Sequence, residues 1–139
     1  MAFDKKNGGI QLVRSKTKKF DLADVVLKGS TVFLNIIDLP PDAIVTKGYL
    51  CITEAFNSTS TDTLKVGDGT TNDRYLTATS IHTTGITALV PTGASCTTLT
   101  MQKVGILWTS GGGTPTTGQG WLNIEYHIPG VEDDFYNLG

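Results

Sequence analysis

Trp121-Leu122-Asn123-Ile124-Glu125-Tyr126-His127-Ile128 is the stretch on which the fold turns, because large apolar and polar side chains alternate in it for eight residues without a break. A period of two is the mark of a strand with one buried face. Leu122, Ile124, Tyr126 and Ile128 are expected inside, and Trp121, Asn123, Glu125 and His127 outside. Pro129-Gly130 ends the run.

Working outward, the same grammar recurs in shorter pieces. Residues 31–37 (TVFLNII) are β-branched and aromatic and stop at Asp38-Leu39-Pro40-Pro41-Asp42, where two prolines remove backbone donors. Residues 43–56 give the longest strand signal, with Ile44, Leu50 and Ile52 on one face, Val45, Tyr49, Cys51 and Thr53 on the other, and Gly48 as an expected bulge. Further short strands are read at 63–66, 75–81, 86–90, 96–103 and 104–109, with Gly105 as a possible break. Residues 20–27 fit neither a clean period of two nor a full helical face, which leaves a short strand or a turn of helix open. The stretch GGGTPTTGQG (111–120) reads as an open, flexible hairpin loop. Seven or eight strands with turn signals between them predict an all-β, jelly-roll-like antiparallel sandwich over residues 20–130.

The flanks differ in charge. Residues 1–19 hold Lys5, Lys6, Arg14, Lys16, Lys18 and Lys19, six of the eleven basic residues, with few large apolar neighbours. They read as an extended basic arm outside the fold, whose removal would leave stability unchanged. Residues 131–139 place Glu132, Asp133 and Asp134 before Phe135 and Tyr136, an acidic and aromatic tail.

Composition narrows the function classes. With 139 residues, one core is the economical assumption. A net charge of −2 gives no overall attraction to nucleic acid or to anionic lipid. No run of signal-peptide or membrane-spanning character is present, so a chain made and used in the cytosol, or carried out of it only within a larger assembly, is expected. Cys51 and Cys96 form no CxxC pair and read as two buried free thiols.

Little in the chain suggests chemistry. His127 lies two residues from Glu125, a spacing that reads as an exposed cross-face contact, and His82 has no motif beside it. The loop 66–73 offers Asp68, Asn72 and Asp73 as oxygen ligands but lacks the alternation and closing glutamate of a calcium loop, so a turn held by side-chain to backbone bonds is expected. Neither a nucleophile elbow nor a phosphate-binding loop occurs. No catalytic residue, metal or cofactor is expected.

Five blocks in order resemble a pattern of small structural proteins of tailed bacteriophages: 37–45 (IDLPPDAIV), 48–57 (GYLCITEAFN), Asp62-Thr63-Leu64-Lys65-Val66-Gly67-Asp68, Arg74-Tyr75-Leu76-Thr77, and 120–126 (GWLNIEY). Several such proteins are jelly-roll subunits that decorate and cement capsids. The resemblance implies a non-enzymatic virion protein on the phage head surface, with the major capsid protein and further copies of itself as partners, a trimer in preference to a dimer. The basic residues would then dock on the shell, with Trp121, Phe135 and Tyr136 as interface anchors. A tail-fibre or spike component, or a glycan-binding module using residues 111–120 and Trp121, is the alternative.

Overall fold

The structure is a computed structural model and describes residues 13–91 and 102–128. Among these it forms eight strands: β1 (Arg14–Asp21), β2 (Phe33–Leu39), β3 (Ile44–Glu54), β4 (Asp62–Gly67), β5 (Leu76–Ser80), β6 (Gly85–Ala88), β7 (Gln102–Ser110) and β8 (Gln119–His127). Among the described residues a single helix, α1 (Leu22–Lys28), follows β1. Asp21 caps it by accepting from the Asp24 amide at 3.1 Å, while the Asp24 carboxylate accepts from the Asp21 amide at the same distance. This reciprocal capping starts a helix at Leu22, so the ambiguous stretch 20–27 divides into the end of β1 (Phe20 and Asp21) and helix.

The strands pair antiparallel in two four-stranded sheets, ordered β1-β8-β3-β6 and β2-β7-β4-β5. First pairs with last, second with seventh, third with sixth and fourth with fifth. That nesting is a jelly roll, as the alternation predicted. β8 lies between β1 and β3, and its Leu122 and Ile124 are fully buried against Val66, Ile106 and the rest of the shared core. Leu122, Ile124 and Tyr126 therefore stand where their period put them, whereas Asn123, expected outside, is buried against β1.

Several expectations need correction. The basic arm is a strand from Arg14 onward, in continuous register with β8 from Arg14↔Tyr126 to Asp21↔Gln119. Asn123 Nδ2 reaches both Ser15 Oγ and Thr17 Oγ1 at 2.9 Å, so Ser15 and Thr17 share its outer face. Lys16 and Lys18, opposite Ile124 and Leu122, consequently alternate onto the core side of the edge, where only Phe20 is buried. Inward-pointing lysines are tolerated at an edge because their heads reach water, and they oppose pairing with another edge. Lys5 and Lys6 lie outside the described residues.

In β3 the register shifts between Val45 and Lys47, not at Gly48, and this turns Val45 inward with Leu50 and Ile52. The segments 96–103 and 104–109 are not separate: described residues from Gln102 to Ser110 form one strand, β7. Gly105 is no break. It sits opposite the register shift in β2, where an added Cβ would lie 2.1 Å from the Leu34 carbonyl oxygen. Residues 111–118 are not a hairpin, since they connect β7 in one sheet to β8 in the other. Asn57 Oδ1 accepts from the amides of Thr116 and Thr117, at 2.6 and 3.1 Å, and fastens the loop.

Two measurements check this architecture. Removing residues 1–19 should now lower stability by several kcal/mol and promote association, because it bares the backbone edge of β8; an unchanged melting temperature would restore the arm. Gly105→Ala should cost about 2 kcal/mol or more in urea unfolding, because the colliding partner is backbone and cannot rotate away.

Candidate functional site

The most concentrated polar site was not visible as a motif. Asp62 opens β4, and its side chain is completely buried. Trp108 Nε1 on β7 donates to Oδ1 at 2.8 Å, and the Ser58 amide donates to Oδ2 at 2.9 Å. His82 Nε2 also meets Oδ2 at 2.8 Å, and beside an ionised carboxylate that nitrogen is the donor. Burial alone would raise the Asp62 pKa. Hydrogen bonds from Ser58, Trp108 and His82 outweigh it and hold the carboxyl below its ordinary value.

An Asp–His pair is half of a nucleophilic catalytic arrangement, so the third group decides its meaning. The nearby Ser58 hydroxyl donates to the Thr61 carbonyl at 3.3 Å, and the Ser80 hydroxyl accepts from the His82 backbone amide at 3.4 Å. Neither is directed onto the imidazole. The donors come instead from two connections between the sheets, 55–61 and 81–84, and from β7. The geometry is that of a tie. One signal existed in the sequence: Asp62, Leu64 and Val66 share the inward period of β4, which puts a carboxylate at a core position.

The loop after β4 shows the turn chemistry expected of it. Asp68 Oδ1 accepts from the amides of Thr70 and Thr71, at 3.0 and 2.7 Å, while Oδ2 accepts from Arg74 Nε. Burial pushes the neighbouring Tyr75 hydroxyl up to about 12; the Asp68 charge adds to the shift and Arg74 opposes it. Among the described residues, no group of three or more His, Cys, Asp or Glu side chains is arranged to hold a metal ion.

Of the expected docking residues, Arg14, Lys16, Lys18 and Lys19 share β1, and Phe135 and Tyr136 lie outside the described residues. Lys16 and Lys18 face an open groove of about 390 Å³ between β1 and β2, the edge strands of their sheets among the described residues, lined also by Thr17, Ile36, Ile37 and Asp38. Lys16 Nζ crosses it to the Asp38 carbonyl at 2.7 Å. Trp121 is 39% exposed on the outer face, in one cross-strand row with Lys19, Cys51 and the 72% exposed Ile86. Cys51 is thus a partly exposed thiol, not a core one; Cys96 lies outside the described residues. Glu125 pairs with Lys47 at 3.9 Å instead of with His127.

Solved structures contain chains with this fold. The chain is similar to one in the cyanophage Pam1 capsid asymmetric unit, with a TM-score of 0.63, 22% identity and 87% of each chain covered. It is similar to one in the capsid of Ralstonia phage GP4, with a TM-score of 0.63, 15% identity and 86% of each chain covered. A third lies in the acidic stable capsid structure of Helicobacter pylori bacteriophage KHP30, with a TM-score of 0.60, 20% identity, and 88% of this chain and 93% of that chain covered. At these identities the likeness is one of fold. No family model and no curated protein matches the sequence.

Asp62→Asn keeps the volume but replaces an acceptor oxygen with an amide that meets donors, so it should destabilise the protein by about 2–4 kcal/mol. A carboxyl held below its ordinary value of about 4 stabilises the fold above that pH and loses the contribution as pH falls through it. Urea midpoints of the native protein should therefore drop from pH 5 toward pH 3, and the Asn variant should show a flatter dependence over that window. Equal midpoints for both proteins at every pH would remove the tie from the account.

Proposed function

We propose that this protein is a non-enzymatic structural component of a tailed-bacteriophage particle, a decoration or cement subunit of the head. The observation that supports the reading most is the jelly roll shared, over more than four-fifths of the chain, with chains of three phage capsid structures. The Asp62 cluster agrees with a role without catalysis, because its carboxylate oxygens are taken up by structural donors.

In this reading the protein binds the assembled shell and bridges neighbouring copies of the major capsid protein. A shell offers many equivalent patches, and a subunit that engages two of them gains affinity through effective concentration. Binding only the assembled form stabilises it by mass action. The basic strand β1, with Arg14, Lys16, Lys18 and Lys19, is the docking surface, and Lys5 and Lys6 extend it in sequence. Trp121 and its neighbours on the outer face serve as an apolar anchor, where a buried aromatic ring would dominate the contact energy. A homotrimer suits local threefold positions of a shell.

Co-sedimentation with empty expanded capsids of the parent phage tests the reading. Because the cations sit on a strand, substitution is the right probe and deletion is not. Arg14, Lys16, Lys18 and Lys19 changed together to Ser should weaken binding at low salt, and the native protein should lose affinity as salt shortens the Debye length from about 10 Å at 0.1 M to about 3 Å at 1 M. Absence of any capsid binding by the native protein would defeat the proposal. Salt-independent binding, retained by the Ser variant, would move the contact to the outer face, where Trp121→Ala should then abolish it.

A further inference from the structure

We propose that copies of this chain meet one another through the outer face of β6, along Ile86, Ala88 and Val90, with Tyr49 and Cys51 of β3 beside them. The inference rests on the head role proposed above only in taking a second copy as the partner, and it assigns that partner a surface.

Exposure is the first argument. Ile86, at 72%, and Val90, at 68%, are the most exposed large apolar side chains among the described residues. They also belong together. Leu89 between them is buried, and its amide donates to the Gly48 carbonyl at 3.0 Å, so Ile86, Ala88 and Val90 share the outward period of the segment. The register sets Ile86 opposite Cys51 and Ala88 opposite Tyr49, both half-buried, which continues the stripe onto β3. Beyond β6 the Val90 amide donates to the Tyr75 carbonyl at 2.7 Å, and Val90 walls an open hollow of about 270 Å³ with Leu76 and Thr77. Apolar side chains gathered into one stripe beside a hollow have the form of a contact surface, which single exposed residues lack.

Charge identifies the occupant. Residues 75–91 contain no Asp, Glu, Lys or Arg, although these make up 17% of the chain. A charged partner would lose its hydration on such a face and gain no ion pair. A second copy brings the same neutral surface, so the contact excludes water from apolar groups on both sides and buries no unpaired charge. β1 is the opposite case: its four cations in six positions would repel their equivalents if copies met there.

Topology keeps the two contacts apart. β1 and β6 are the outermost described strands of one four-stranded sheet, three spacings or about 14 Å from each other, and Trp121 on β8 is about 10 Å from β6. Copies joined at β6 therefore leave Arg14, Lys16, Lys18, Lys19 and Trp121 to the shell. One patch that meets its equivalents about an axis gives a closed assembly. The contact is made by side chains on the face of β6 and needs no open backbone edge.

Sedimentation of the full-length protein, without capsids, from about 1 µM to about 1 mM tests the assignment. The native protein is expected to associate, and to remain associated in about 1 M salt, where exposed ion pairs are screened. I86E/V90E should raise the dissociation constant at least about 100-fold, because like charges set against each other in an interface are strongly unfavourable. Its melting temperature should match that of dilute native protein, since both side chains already stand in water. I86K/V90K should likewise be monomeric, and an equimolar mixture of the two variants should associate again at low salt, as opposite charges then meet across the contact. R14S/K16S/K18S/K19S should associate as the native protein does. A native protein that stays monomeric throughout would overturn the assignment, as would an I86E/V90E variant that keeps the native mass or a mixture that stays monomeric. Because no capsid enters the measurement, failure here and failure of the head role are told apart.

Discussion

The tie at Asp62 is the constraint on which one end of the sandwich depends. A jelly roll has to pass its chain repeatedly from one sheet to the other, and those passages bury backbone that no ladder satisfies. Here β1 to β2, β3 to β4, β5 to β6 and β7 to β8 are all passages between the sheets. Asp62 binds the second and third of them to β7 through Ser58, His82 and Trp108. Asn57 fastens the fourth, and the first reaches the same region through the bond from the Leu22 amide to the Gly118 carbonyl at 2.9 Å and from the Thr31 amide to the Trp108 carbonyl at 2.7 Å. A charged carboxylate suits the centre of such a junction because it accepts several donors at once and each bond is charge-assisted. The arrangement also makes the junction vulnerable, since losing one partner leaves the others buried and unpaired.

What the sequence made legible follows from how local each cause is. β8 announces itself because eight consecutive residues obey one period, and the turn at 67–74 does so because Asp68 bonds amides two and three residues away. β1 hides because its burial depends on partners more than a hundred residues distant. Its polar residues are satisfied by Asn123 and its lysines escape at an edge, so neither face shows the apolar alternation that marks a central strand. The junction is hidden for the same reason. Asp62 lies 20 residues from His82 and 46 from Trp108, and only its place on the inward period of β4 betrays it.

Glycines explain the remaining surprises in spacing. Gly48 and Gly105 interrupt two strand signals, and both are ordinary ladder positions where a neighbouring strand's carbonyl oxygen comes within 2.1 Å of where a Cβ would stand. Each lies close to a register shift, between Val45 and Lys47 in β3 and between Asn35 and Ile37 in β2. The shifts rotate Val45 and Ile37 into the core. A close backbone approach beside a bulge therefore looks, in sequence, like a strand that ends.

The edge formed by β1 and β2 brings opposite demands together. A free strand edge invites pairing with any other chain, and lysines turned toward the core side discourage it by repulsion and hydration. The same lysines create a basic groove, which attracts carboxylates. Protection against indiscriminate association and a local basic field thus arise from the same two side chains, Lys16 and Lys18. A partner met by charge alone would be held only by exposed ion pairs, which are weak singly and screened by salt. Lysines turned to the core side of an edge strand thus work against indiscriminate strand addition without removing the strand's own pairing to β8.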